Sequence, residues 1–186
     1  ITDVAGVALG FCTLTDPTQN MRTGVTAILP RPGTEPMPVW AGHYALNGNG
    51  EMTGTHWIDD AGYFFGPILI TNTHGVGAAH MGATRWMIDT YASYFRDNHA
   101  WAMPVIAETY DGVLNDINAM HVQPEHALAA LADDAAPSGR AHPQPALGCV
   151  PHRLPQAGGR PPPAHRPAPA RCRPAPPGAV RRGRRC

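Results

Sequence analysis

A mixed α/β fold is predicted for residues 1 to 136 on three observations. Short runs of β-branched and aliphatic residues recur between glycine and proline punctuation. Two segments carry helical spacing. Strand-like and helix-like segments also alternate along the chain. Which strands pair, and in what sense, the pattern leaves open.

Val4 to Phe11 and Thr23 to Leu29 read as strands, and Pro30-Arg31-Pro32-Gly33 ends the second. Val39 to Leu46 reads as a third strand and feeds the stretch Asn47-Gly48-Asn49-Gly50-Glu51-Met52-Thr53-Gly54. Glycines at 48, 50 and 54 weaken any regular element there, and Asn with Gly favours positive φ. The backbone should turn tightly and expose its N–H groups around Glu51, the composition of a ligand-facing loop. His56 to Gly62 is predicted as one helical turn, with Thr55 as its cap and Asp59 and Asp60 near its positive end.

Pro67 to Thr71 is a short apolar strand of the buried kind. Ala78 to Asp97 is the clearest helix: Ala78, Met81, Ile88, Tyr91, Ala92 and Phe95 share one face, with Arg85, Asp89 and Arg96 away from it. Met103 to Thr109 is a second buried strand, and Pro124 to Ala135 a helix with proline in its first turn.

Composition divides the chain in two. All fourteen acidic residues lie at or before Asp134, while ten of the fourteen basic residues, all arginine, follow Pro137. Residues 137–186 also hold thirteen of the twenty-one prolines and no aromatic residue. Too little apolar surface is present there to offset the entropy of ordering, so disorder is the expectation, with polyproline character at Pro161-Pro162-Pro163. Three explanations compete: a basic extension for acidic partners, a linker without a partner, and an out-of-frame reading of a GC-rich gene, which is favoured. Nucleic-acid base recognition is disfavoured, because stacking side chains are missing.

No run of eighteen apolar residues is present, so no membrane span is expected. No signal peptide is visible after Ile1, and a cytoplasmic location is the expectation. Cys12 stands alone before the arginine-rich part and is expected as a buried free thiol. His74 with His80, and His121 with His126, lack the spacing of a helical zinc site, so no metal and no cofactor are expected.

Five blocks in order carry a family resemblance: Ile1 to Val7, Arg22 to Pro30, Asn47 to Ile58, Gly66 to His74 and Ala107 to Asp116. Over residues 1 to about 136 the chain resembles the self-processing aminopeptidases that include L-aminopeptidase/D-Ala-esterase/amidase and the β-peptidyl aminopeptidases. The resemblance implies the first portion of a four-layer αββα sandwich of the N-terminal-nucleophile type, followed here by the arginine-rich tail. It implies hydrolysis of the N-terminal residue from peptides, amides or esters, a peptide or amino-acid amide as substrate, and a homo-oligomer. In such enzymes a self-cut frees a serine whose hydroxyl attacks and whose α-amine serves as base.

Asn115, in Asp111-Gly112-Val113-Leu114-Asn115-Asp116, matches the motif implying an oxyanion donor, and Tyr44 is the second candidate donor. The plainer readings are a turn-capping Asn and a strand Tyr with its ring in the core. Glu51 suits the substrate's ammonium through a charge-assisted hydrogen bond. Trp57 would wall the pocket, or serve as a core tryptophan. Asn47, Asn49 and Asn72 are read as loop-shaping residues, and Glu108 and Asp111 as groups that orient the Asn115 loop. The nucleophile serine is not identifiable: Ala136-Pro137-Ser138-Gly139-Arg140 lacks the glycine-rich character of the cleavage site. The chain is therefore expected to be inactive as written. The alternative is a non-catalytic remnant whose basic tail binds acidic partners.

Overall fold

The computed structural model describes Ile1 and residues 3–133. The arginine-rich segment, Ser138, the boundary at residue 136 and the predicted last residues of the final helix lie outside the described residues. The elements run β1 (Ala8–Asp16), β2 (Met21–Leu29), β3 (Val39–Trp40), α1 (Thr55–Ala61), β4 (Tyr63–Phe64), β5 (Ile68–Asn72), α2 (Val76–Thr90), α3 (Ala92–Asn98), β6 (Val105–Thr109) and α4 (Pro124–Asp133).

The first strand starts later than predicted. Gly6 sits at φ 86, and turn hydrogen bonds join Val4 N to the Ile1 carbonyl and Val7 N to the Val4 carbonyl. From Ala8 the strand runs on to Asp16, because β2 pairs with it antiparallel throughout, from Ala8↔Leu29 to Asp16↔Met21. Asp16 shapes the turn: its carboxylate accepts from Thr18 Oγ1 at 2.6 Å, Gln19 Nε2 at 2.6 Å and Thr18 N at 2.9 Å. Those bonds, Thr18's first, hold its carboxyl below the usual carboxylate range.

The main sheet has the order β1-β2-β5-β6, with β2 and β5 antiparallel and β5 and β6 parallel. Helices α2 and α3 form the crossover that a parallel pair requires. Side chains alternate across the strands, so Val25, Ala27, Leu69 and Ile106 meet α2 and α4 on one face. On the other face Val105 and Ile68 meet Ile58 of α1 and Phe64 of the short β3–β4 pair. Leu9, Phe11, Thr26 and Ile28 also lie on that second face and are half-buried. The mixed α/β prediction holds.

Three predicted elements differ. The third strand is two residues long, because its partner β4 is equally short and lies between Gly62 and Gly66, both at positive φ. Thr55 is not a cap but the first residue of α1; Gly54 caps it at φ 77, without a side-chain bond. The positive φ favours glycine there, and a Cβ on Gly54 would also crowd Val105 Cγ2 at 3.2 Å. No acidic residue occupies the first turn of α1, so Asp59 and Asp60 do not serve its positive end.

The long helix is two helices, parted at Tyr91, where φ is −105 and ψ is 26. Its buried stripe is Ala79, Gly82, Ala83 and Met87, while Met81 and Ile88 are about half exposed at 51% and 50%. Close approach of α4 is the reason. A Cβ on Gly82 would lie 2.7 Å from Ala127 Cβ and nearer still to the Pro124 carbonyl, so small residues bury best there.

α4 is also tied to the sheet edge, since Phe11 N donates to Asp133 Oδ2 at 3.1 Å. Cys12 beside it is a half-buried free thiol. Burial first, and the Asp133 carboxylate second, push that thiol up. Among the described residues no helix is long and apolar enough to cross a membrane.

Two outcomes are expected. Gly82→Val should cost about 1–3 kcal/mol by overpacking, seen as a lower urea midpoint at unchanged slope. Gly77→Ala, where a Cβ would meet nothing within 4 Å, should not cost stability. Site-resolved alkylation of Cys12 should stay slow until the pH passes the ordinary thiol value of about 8.5. In urea that delay should vanish, and Asp133→Asn should shorten it.

Candidate functional site

The glycine loop is held by its neighbour strand rather than by its own bonds. Met52 forms an isolated antiparallel bridge with Ala107 of β6, and Thr53 N donates to the Ile106 carbonyl at 2.9 Å. The Thr53 hydroxyl donates to the Pro104 carbonyl at 2.8 Å and accepts from Ile106 N at 2.9 Å. Thr53 thus stands in for a strand partner along the outer edge of β6. Sequence reading passed over it; the available signal was a single β-branched hydroxyl between two glycines.

That antiparallel bridge fixes directions. Going backward from Met52, the chain runs toward the C-terminal end of β6, where a Cβ on Gly50 would lie 3.1 Å from Glu108 Oε1. Glu51 is exposed at this end. Going forward, the chain runs toward the N-terminal end and into α1, which carries Trp57. Glu51 and Trp57 therefore leave β6 in opposite directions.

Asn115 lies just past the C-terminal end of β6 and is 2% exposed. Its Oδ1 accepts from Arg22 N at 3.2 Å, and its Nδ2 donates to Asp111 Oδ1 at 3.2 Å. Its backbone N donates to the Asp111 carbonyl at 3.1 Å. The guanidinium of Arg22 donates to the Leu114 carbonyl at 3.2 Å, and Asp116 N donates to the Asn20 carbonyl at 2.8 Å. The β1–β2 turn thus clamps the 111–116 loop. Asp111 orients Asn115, and Glu108 faces the glycine loop instead. Asp111 Oδ2 is buried without a partner.

The remaining candidates are placed as follows. Tyr44 is 87% exposed on the segment after β3, so its ring is not in the core. That segment is fastened by Ala41 N to the Gly62 carbonyl at 3.0 Å, and His43 Nδ1 lies 3.5 Å from Asp59 Oδ2. Asn47 and Asn72 shape loops: Asn47 Oδ1 accepts from Asn49 N at 2.8 Å, and Asn72 Oδ1 from Gly75 N at 2.6 Å. Trp57 meets Tyr63 edge-on at 5.6 Å and lines a cavity of about 140 Å³ with Phe64, Phe65, Tyr94, Trp101 and Met103. Sequence reading found Trp57 but not that cavity, whose walls come from four separate segments.

Over 138 residues the chain is 49% identical to the β-peptidyl aminopeptidase BapA of Sphingosinicella microcystinivorans, covering 70% of this chain and 34% of that protein. The solved L-aminopeptidase D-Ala-esterase/amidase of Ochrobactrum anthropi, a variant of the Ntn hydrolase fold, superposes with a TM-score of 0.67 at 54% identity. It covers 72% of this chain and 39% of its own. A β-aminopeptidase from a Burkholderia species superposes with a TM-score of 0.60 at 44% identity, covering 71% of this chain and 37% of its own. The α/β fold is thus shared with that Ntn-type hydrolase, although the chain spans about a third of the length of the curated relatives it matches. With residues 1–150 matching its description, this chain belongs to peptidase family S58.

Proposed function

We propose that the chain carries the substrate-gripping portion of a serine aminopeptidase and, as written, lacks the nucleophile. Its substrate class is a peptide, amide or ester with a free amino terminus, the class that the names of its relatives describe. Homo-oligomeric assembly, and a division at residue 136 between an aminopeptidase-like part and the arginine-rich segment, belong to the same proposal. The observation that carries it is the stapled glycine loop, which presents Glu51 at the end of β6 beyond which Asn115 is clamped.

Each role follows from chemistry. The exposed Glu51 carboxylate grips the substrate's ammonium by a charge-assisted hydrogen bond. Asn115 would supply an oxyanion donor through its second Nδ2 hydrogen, its carboxamide already oriented by Asp111 and Arg22 N; preorganisation of this sort carries the catalytic value. Tyr44 would supply the other donor from its exposed hydroxyl. Trp57, at the opposite end of β6, takes no part in gripping the reacting amine.

The attacking group is the gap. The chain holds two serines, Ser93 and Ser138. Ser93 is exposed on α3, a position that no self-cut turns into the start of a second chain without severing the α2–β6 crossover. Loss of the nucleophile in a comparable serine enzyme costs about 10⁶ in turnover.

Two measurements test the proposal. With amino-acid p-nitroanilides and β-peptide substrates, turnover should not exceed background, and the chain should run as a single species on denaturing gels. Turnover together with two fragments would defeat the inactive reading. Glycinamide should nonetheless bind, and Glu51→Gln should weaken it by about tenfold, the worth of one charged hydrogen bond. Unchanged affinity in that variant removes Glu51 from the grip.

A further inference from the structure

The glycine loop pairs with β6 only briefly before it leaves for α1, and a glycine-rich segment specifies its register weakly. A slip of one residue would turn Met52 outward and Glu51 inward. A side chain fixes the register. In a regular antiparallel pair, hydrogen-bonded facing residues exchange two backbone bonds. Thr53 N gives the first of these to the Ile106 carbonyl, but Ile106 N returns its bond to Thr53 Oγ1, at 2.9 Å each. The hydroxyl proton goes on to the Pro104 carbonyl at 2.8 Å. Gly54 follows at φ 77, and its carbonyl accepts from Ile58 N of α1 at 3.2 Å. The chain thus turns from the strand directly after Thr53. The hydroxyl closes the Ile106 N–H and the Pro104 carbonyl, which a continuing strand would have closed.

We propose that Thr53 is the positioning residue of the amine grip, a role that rests on the reading of Glu51 above. It touches no substrate and acts through the backbone two residues earlier. A hydroxyl both donates and accepts, which is what one carbonyl and one N–H require together. The β-branch of threonine also restricts χ1, so the hydroxyl is presented in one direction. Between the two residues, Met52 packs inward against Ile58, Phe64 and Val105. Alternation then turns Glu51 away from that cluster, and it is exposed. On its other side, Gly50 lies so close to Glu108 that a Cβ would sit 3.1 Å from Oε1. The backbone is therefore held before and after Glu51, and the side chain is the part left free. Valine, nearly the same shape as threonine, would offer Ile106 N and the Pro104 carbonyl nothing.

The test uses the full chain, with calorimetric titration of glycinamide and amide hydrogen exchange as readouts. Thr53→Val should weaken glycinamide roughly fivefold and speed exchange of residues 47–53 by a similar factor, the worth of one hydrogen bond. Thr53→Ala, the other hydroxyl-free variant, should behave alike, and Thr53→Ser should restore both readouts to within about twofold of the parent. Thr53 is half-buried, and cooperative melting of each variant would show that it folds. In a Glu51→Gln background, Thr53→Val should add no further loss, because both changes act on one contact. Losses that add, serine as weak as valine, or parental affinity in either hydroxyl-free variant overturns the role. A parent chain that ignores glycinamide, or Glu51→Gln binding as the parent does, sinks the grip and the positioning role with it. Failure of the positioning role alone looks different: Glu51→Gln weakens binding and Thr53→Val does not.

Discussion

Almost everything of functional interest hangs on the two-sided pairing of β6. On one side it lies parallel to β5, in register from Ile68↔Val105 to Asn72↔Thr109. On the other, Met52 and Thr53 supply backbone and hydroxyl bonds that a fifth strand would otherwise give. An edge strand left open exposes unpaired N–H and C=O groups. Here those groups hold a glycine-rich loop that could not hold itself. The same pairing sorts the surroundings by direction: the acidic groups and Asn115 lie toward one end of the strand, the aromatic cleft toward the other.

The parts that were legible in the sequence are those whose signal is local. Glycines at 48, 50 and 54 announced an irregular loop, and Gly54 takes positive φ. The short apolar runs announced β5 and β6 within one or two residues, and Pro124 announced α4. Illegible parts depend on neighbours remote in the chain. Periodicity placed Met81 and Ile88 inward, yet the approach of α4 reserved the inner face for Ala79, Gly82 and Ala83. Hydrophobic spacing cannot anticipate that, because it weighs side chains by apolarity and not by the room available. Asn115 was found by its motif, but its orientation comes from Arg22 N, 93 residues earlier in the chain.

For Asn115 a structural role is compatible with the chemical one proposed above. The plain reading, an Asn that holds a turn, describes its bonds to Asp111. Those bonds are also what a preorganised donor needs, since a carboxamide free to rotate would lose its alignment when charge develops. Asp111 bears the cost, with Oδ2 buried and unpartnered. In the proposed function that cost is offset by holding the Asn115 amide in place.

Charge points in the same direction from longer range. Up to Asp134 the chain carries fourteen acidic residues against four arginines and no lysine. A negative field of that size raises the local concentration of cationic amines and repels free carboxylates. It therefore favours a ligand whose amino end is free and whose acid end is blocked or distant, as in an amide, an ester or a longer peptide. Under the proposed function, Glu51 would then have to discriminate only at contact distance, by one hydrogen bond to an ammonium. In the proposed function, recognition of the amino end would thus draw on the whole acidic part of the fold.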